Sequence, residues 1–251
     1  MPSTRKIEVL PTAADLFHVA AEEFTRIGRQ AIGAQGRFTV ALSGGSTPRS
    51  LYSLLAASYA DFPWARTYFF FGDERHVPPT DADSNFRMTN ESLFSKIAIP
   101  AQNVFRVKAE NPDAASAAAE YEIQVKKFFE LRTNEFPRFD LILLGMGPDG
   151  HTASLFPDSE GLKERNKLVI ANWVDKLKTH RISFTFPVLN NAAEVMFLVS
   201  GPDKAEMVHQ VLEGKSDPPY PSQQVQPTNG ALLWMLDEAA AKELSKTTAR
   251  D

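Results

Sequence analysis

The stretch Gly145-Met146-Gly147-Pro148-Asp149-Gly150-His151 places a carboxylate and an imidazole two residues apart in a glycine-rich turn, directly after the apolar run FDLILL. Its spelling also fits G-x-G-x-x-G, the dinucleotide-binding fingerprint. That motif needs a helix of useful length after its third glycine. Here HTASLF runs straight into Pro157, and Pro148 interrupts the turn itself. The better reading is a short, tight turn that presents His151 for proton transfer near neutral pH, with Asp149 fixing its tautomer or the substrate.

Two further loops carry comparable chemistry. Ser43-Gly44-Gly45-Ser46-Thr47-Pro48 follows FTVAL and precedes a helical pattern. A strand, a Gly/Ser/Thr loop and a helix N-terminus make an anion site, with Ser46 or Thr47 expected as helix cap. The lysine of a nucleotide P-loop is missing, so phosphate on a smaller molecule is the expected anion. After TYFFF comes Gly72-Asp73-Glu74-Arg75-His76, four ionisable residues abutting an apolar strand. Arg75 suits a phosphate or a developing oxyanion, and Asp73 and Glu74 could orient it. Asp83 and Ser84 read as a helix cap.

Arg181 opens a later strand, and Lys204 lies near a helix start, where a cation opposes the helix dipole unless an anion binds there. His76 and His180 stand beside Arg75 and Arg181 and could line the same cleft. His18 and His209 fall in helical patterns. No G-x-S-x-G elbow, H-E-x-x-H motif or metal-spaced His pair occurs. Metal-free acid/base chemistry on a phosphorylated substrate is what remains.

These loops need a scaffold. Strands are expected at 38–42, 67–71, 104–107, 139–144, 168–172, 182–186, 195–200 and 230–234. Helices are expected at 12–33, 48–59, 84–95, 112–131, 202–213 and 236–246. Short runs apolar throughout, separated by helix-length segments, predict an α/β fold. The expected form is Rossmann-like: a mainly parallel sheet with helices on both faces and a small strand or hairpin excursion near 163–200, all in one domain over 1–251. Sites in such sheets form at the C-terminal strand ends.

The 251 residues carry a net charge of −4 and no cysteine. Disulfides, thiolate nucleophiles and cysteine-ligated metals are excluded, and nothing favours nucleic acid or a membrane surface as partner. No apolar run approaches the ~20 residues of a membrane span. The expectation is a cytoplasmic protein, monomeric or weakly dimeric.

SGGSTP, GDERHVP with DSN (83–85), GMGPDGHTASLFP, RISFTFPVLN, GPDKAEMV and the closing VQPTNGALLWMLDEAAA together resemble the signatures of the 6-phosphogluconolactonase family, in order and over nearly the whole chain from about residue 38. The resemblance implies hydrolysis of 6-phospho-D-glucono-1,5-lactone to 6-phosphogluconate, the second step of the oxidative pentose phosphate pathway. It implies a Rossmann-like fold, a sugar-phosphate substrate and no metal or organic cofactor. His151 takes the catalytic position, with Asp149 and Arg75 beside it. Ser43, Gly44, Gly45, Ser46 and Thr47 fall on the phosphate side. Asp73, Asn85, Gly147, Arg181 and Lys204 occupy further substrate-side positions. The related glucosamine-6-phosphate deaminases share the first loop and a G-x-D-G-H turn, but read D-E-Y where this chain has Asp73-Glu74-Arg75. They also carry a Glu where it has Phe156. Both departures favour the lactonase. A deaminase/isomerase-like enzyme and a non-catalytic sugar-phosphate binder are the alternatives.

Overall fold

A computed structural model describes residues 4–246 and Thr248. In chain order its elements are β1 (Thr4–Leu10), α1 (Ala13–Gln35), β2 (Phe38–Leu42), α2 (Ser46–Ser58), β3 (Thr67–Phe71), β4 (Asp73–Arg75), α3 (Asn85–Ser92), α4 (Ala114–Phe129), β5 (Leu141–Leu144), β6 (Val169–Val174), β7 (Thr179–Phe184), α5 (Phe186–Leu189), β8 (Glu194–Val199), α6 (Ala205–Leu212), β9 (Ala231–Asp237) and α7 (Glu238–Ala241). Six strands form one parallel sheet in the order β1-β9-β8-β5-β2-β3, and β4-β7-β6 form a small antiparallel sheet.

Every residue of β2 and β5 is buried. Successive side chains of a strand point to opposite faces, and β3 shows what covers each face. Phe69 meets Trp64 and Phe94, while Phe70 meets Phe105, Phe128, Phe129 and Phe139. Trp64 in turn packs on Phe24 of α1, whereas Phe128 and Phe129 end α4. Helices therefore flank both faces, as the apolar strands require. Helix α1 starts in a capping box between Thr12 and Asp15. Among the described residues no helix is long and apolar enough to cross a membrane.

Several expectations change. Residues 104–107 form no strand. Phe105 donates one hydrogen bond to Phe69 O (2.8 Å) and then stacks on Phe70, so the segment only covers the edge of β3. The pattern at 236–246 yields only the single turn α7, because Asp237 caps it and the chain then turns at Leu244. Strand β1, absent from the expected strands, exists through its pairing with β9. Of the three runs in 163–200, the first two form the β6–β7 hairpin and the third, β8, lies inside the main sheet.

The charged run after β3 is not a simple loop. Gly72 bonds back to Leu42 O and accepts from Phe184 N, so the chain leaves the main sheet and enters the small one at this residue. Glu74 is buried and accepts from the backbone N–H groups of Arg75, Asn85 and Phe86 and from Ser84 Oγ. Burial pushes its carboxyl up, against those hydrogen bonds. It ties the start of α3 to β4 instead of orienting the Arg75 guanidinium. Ser84 caps α3, as expected.

Removing that carboxylate leaves the first amides of α3 without an acceptor in a buried setting. Glu74→Ala should lower unfolding free energy by about 2 kcal/mol, measured by chemical denaturation. A loss within about 0.5 kcal/mol, the range of neutral surface changes, would contradict the assignment.

Candidate active site

Strands β2 and β5 lie side by side, yet the chain leaves β2 towards β3 and leaves β5 towards β8. Connections that diverge between neighbouring parallel strands open a crevice at their C-terminal ends. A cleft of about 290 Å³ sits there. Its walls come from the ends of four adjacent strands: residues 198–200 and Lys204 at and beyond the end of β8, 145–148 and His151 after β5, 43–48 after β2, and Asp73 and Arg75 beyond β3.

The turn after β5 is closed on itself. Gly147 N bonds to His151 O (2.9 Å), Gly150 N to Gly147 O (3.0 Å) and Thr152 Oγ1 to Gly145 O (2.9 Å). Ser222, from the loop before β9, donates twice to Gly150 O. No helix follows, which removes the dinucleotide reading. The His151 ring lies directly over Gly147, where an added Cβ would fall 2.0 Å from Nδ1 and Cε1. Glycine at 147 is thus a condition for the ring's position.

Asp149 Oδ1 is bonded to His151 Nδ1, and Asp149 Oδ2 to the ammonium of Lys176 on the β6–β7 hairpin. Partial burial pushes the Asp149 carboxyl up. The hydrogen bonds from His151 and Lys176 outweigh that and hold it well below the usual carboxylate range. An ionised Asp149 accepts a hydrogen bond from Nδ1–H and so leaves the lone pair on Nε2. Nε2 has no hydrogen bond among the described residues. The Phe156 ring stacks on the imidazole, with centroids 4.0 Å apart and planes 25° from parallel.

The first loop differs from its expected capping. Gly45, not Ser46 or Thr47, is the N-cap of α2, and no side chain caps this helix among the described residues. Ser46 and Thr47 occupy the first turn and line the cleft. The amides of that turn therefore face the cleft with no side-chain acceptor, which suits an anion. Ser43 Oγ is buried at the same wall and has no hydrogen-bond partner among the described residues. Tyr52 braces the loop, its hydroxyl accepting from Ser43 N and donating to Ser43 O.

Arg75 and Lys204 both reach the cleft. Arg75 donates to Asp83 O (2.6 Å) and forms no ion pair among the described residues. Lys204 is the N-cap residue of α6 and lies 3.5 Å from Asp203. Asp73 lines the cleft and is fixed by Ser154 Oγ (2.6 Å) and Asn85 Nδ2. Asn85 itself does not line it. Its amide fills the space where Gly44 would carry a side chain, so it supports the loop from behind. Arg181 does not line the cleft either; it lies directly opposite Arg75 in the antiparallel register. Burial, then the like charge of Arg75, pushes its guanidinium down.

His76 and His180 do not line the cleft. His76 bonds to Asn111 O, and His180 packs against Trp173. Among the described residues no group of three or more His, Asp or Glu side chains is arranged to hold a metal ion. Sequence reasoning missed Lys176 and Ser154. Both reach the site through pairings distant in sequence, and neither belongs to a local motif.

Residues 11–234 match the family described as glucosamine-6-phosphate isomerases/6-phosphogluconolactonase. A 6-phosphogluconolactonase of Nostoc sp. is 42% identical over 242 residues, covering 96% of this chain and 99% of that protein. One from Synechocystis sp. is 39% identical, covering 88% and 90%. The solved 6-phosphogluconolactonase of Trypanosoma cruzi superposes with a TM-score of 0.87 at 29% identity, covering 98% of each chain.

A methyl group at position 147 cannot coexist with the observed imidazole. A crystal structure of Gly147→Ala is expected to show His151 displaced from Asp149 with the parallel sheet unchanged. An undisturbed His151–Asp149 bond would contradict this packing argument.

Proposed function

The chain belongs to the family of glucosamine-6-phosphate isomerases and 6-phosphogluconolactonases, and from that membership we propose that it opens 6-phospho-D-glucono-1,5-lactone to 6-phosphogluconate with His151 as acid and base. It is an enzyme of the 6-phosphogluconolactonase kind, a carboxylic ester hydrolase acting on a sugar-phosphate lactone. The observation that carries the mechanism is His151, held by Asp149 and lining one cleft with a helix N-terminus that no side chain caps and two cationic side chains.

The substrate's phosphate sits at the amides of residues 45–47, with Lys204 adding positive charge. Binding energy far from the reacting carbon then holds the lactone against His151. Nε2 takes a proton from water as the water oxygen bonds to the lactone carbonyl carbon. Arg75 stabilises the oxyanion. The imidazolium returns the proton to the ring oxygen as the carbon–oxygen ester bond breaks, and the new acid releases its own proton to solvent. Asp149 stays ionised throughout, orienting the ring and stabilising its charged form.

Phe156 supports this reading over sugar isomerisation. It occupies the face of the imidazole with a ring that can neither accept nor donate a proton. A ring-opening His–Glu pair has no second member there.

Two assays separate the readings: loss of freshly made 6-phosphogluconolactone above its spontaneous rate, and release of ammonia from glucosamine 6-phosphate. Activity in the first only is expected; activity in the second only, or in neither, would overturn the proposal. His151→Ala should lower kcat by about 10²–10⁴-fold, the usual range for general acid/base catalysis, with an unchanged circular dichroism spectrum. Near-normal turnover would remove His151 from the mechanism. Arg75→Ala should depress kcat/KM by about 10²-fold or more while thermal stability hardly moves. A large loss of stability with kcat/KM retained would make it a structural arginine.

A further inference from the structure

Lys176 has no part in the reaction as described, yet its ammonium touches the groups that hold the catalytic imidazole. It lies in the turn Asp175–Leu177 at the tip of the β6–β7 hairpin. The ammonium pairs with Asp149 Oδ2 while Asp149 Oδ1 is bonded to His151 Nδ1. It also lies 4.7 Å from the centre of the Phe156 ring, which is stacked on His151. One side chain thus contacts both the carboxylate at the edge of the imidazole and the ring on its face.

General stability does not account for this placement. The Lys176 side chain is half exposed, and an ion pair in such a setting contributes at most about 1 kcal/mol. Its neighbour Lys178 pairs with Asp175 on the hairpin itself. Lys176 instead reaches across to the turn after β5.

The electrostatic consequence follows from charge and distance. A carboxylate beside an imidazole favours the imidazolium, and a cation on the far carboxylate oxygen cancels part of that attraction. Other groups face His151 as well. Asp73 and Arg75 approach from β4, Lys204 from the turn after β8, and Tyr220 packs against Gly150 from the loop before β9. Asp73 is held by Ser154 and Asn85, and Lys204 lies beside Asp203. Among the described residues, Lys176 is the cation paired with Asp149.

We propose that Lys176 is a positioning residue for the reaction, clamping Asp149 and Phe156 from the hairpin tip so that the His151 ring stays oriented as the base. The proposal rests on the reading of His151 as the acid/base. Without the clamp, Asp149 acts on the imidazole with its full charge, and the enzyme loses its base at a higher pH.

The test uses full-length Lys176→Met and Lys176→Arg with two readouts. The first is an NMR titration of the His151 ring in the free protein, which requires no turnover. The second is the pH profile of kcat/KM for the lactone. In Lys176→Met the His151 titration midpoint and the acid limb should both move up by about half a pH unit or more. Activity on the acid side then falls about threefold while the plateau at higher pH is kept. Lys176→Arg should restore the wild-type profile. A midpoint and limb that stay in place in Lys176→Met would overturn the clamp, as would an equal displacement in Lys176→Arg. A displaced midpoint in a protein that does not hydrolyse the lactone would sink the lactonase reading and leave the clamp standing.

Discussion

The central strands of the parallel sheet are apolar on both faces, and this decides where chemistry can occur. The polar side chain within β2, Thr39, is bonded to Asp140 at the far end of the strands from the cleft, and an unpartnered polar group in these strands would cost several kcal/mol. Polar and charged groups free to meet a ligand are therefore confined to the strand ends. Four adjacent ends, those of β8, β5, β2 and β3, converge because the chain departs in opposite directions from β2 and β5. The cleft is a consequence of that divergence, and its contents follow from what each loop can carry. The turn after β5 carries the Asp149–His151 pair, the loop after β2 a helix start that no side chain caps, and the segments beyond β3 and β8 carry cations.

The small antiparallel sheet extends this edge into a wall. Strand β4 continues from β3 through Gly72 and so carries Asp73 and Arg75 to the cleft on backbone that is paired, not free. Its polar residues are satisfied from behind. Asp73 is bonded to Ser154 and Asn85, Asn172 Nδ2 donates to Ser154 O, and Glu74 holds the start of α3. The hairpin beyond it returns Lys176 to Asp149. A network fixed at this many points holds Asp149 and His151 in one geometry, as the proposed proton transfer requires.

Much of this was legible in the sequence because the relevant signals are local. The apolar runs of β2, β3 and β5 mark buried parallel strands. Pro148 and Pro157 mark GMGPDGH as a turn that cannot open a long helix, and its last residue, His151, lines the cleft. What was not legible depends on distant partners. Strand β1 exists through β9, and the DER of β4 is a strand only because β7 pairs with it. The cap of α2 at Gly45 was assigned one or two residues late, since Ser46 and Thr47 have the composition of caps but helical positions. Arg181 and Asn85 carry the expected chemistry but do not line the cleft. Lys176 belongs to no motif, and only the fold of the hairpin brings it near residue 149.

The central claim is that one cleft binds a phosphate at the start of α2 and opens a lactone at His151. The most direct measurement compares kcat/KM for 6-phosphoglucono-1,5-lactone with that for glucono-1,5-lactone, which has the same reacting ester and no phosphate. Remote binding energy used for positioning predicts a preference of about 10³-fold or more for the phosphorylated lactone. Equal values for the two lactones would contradict the account.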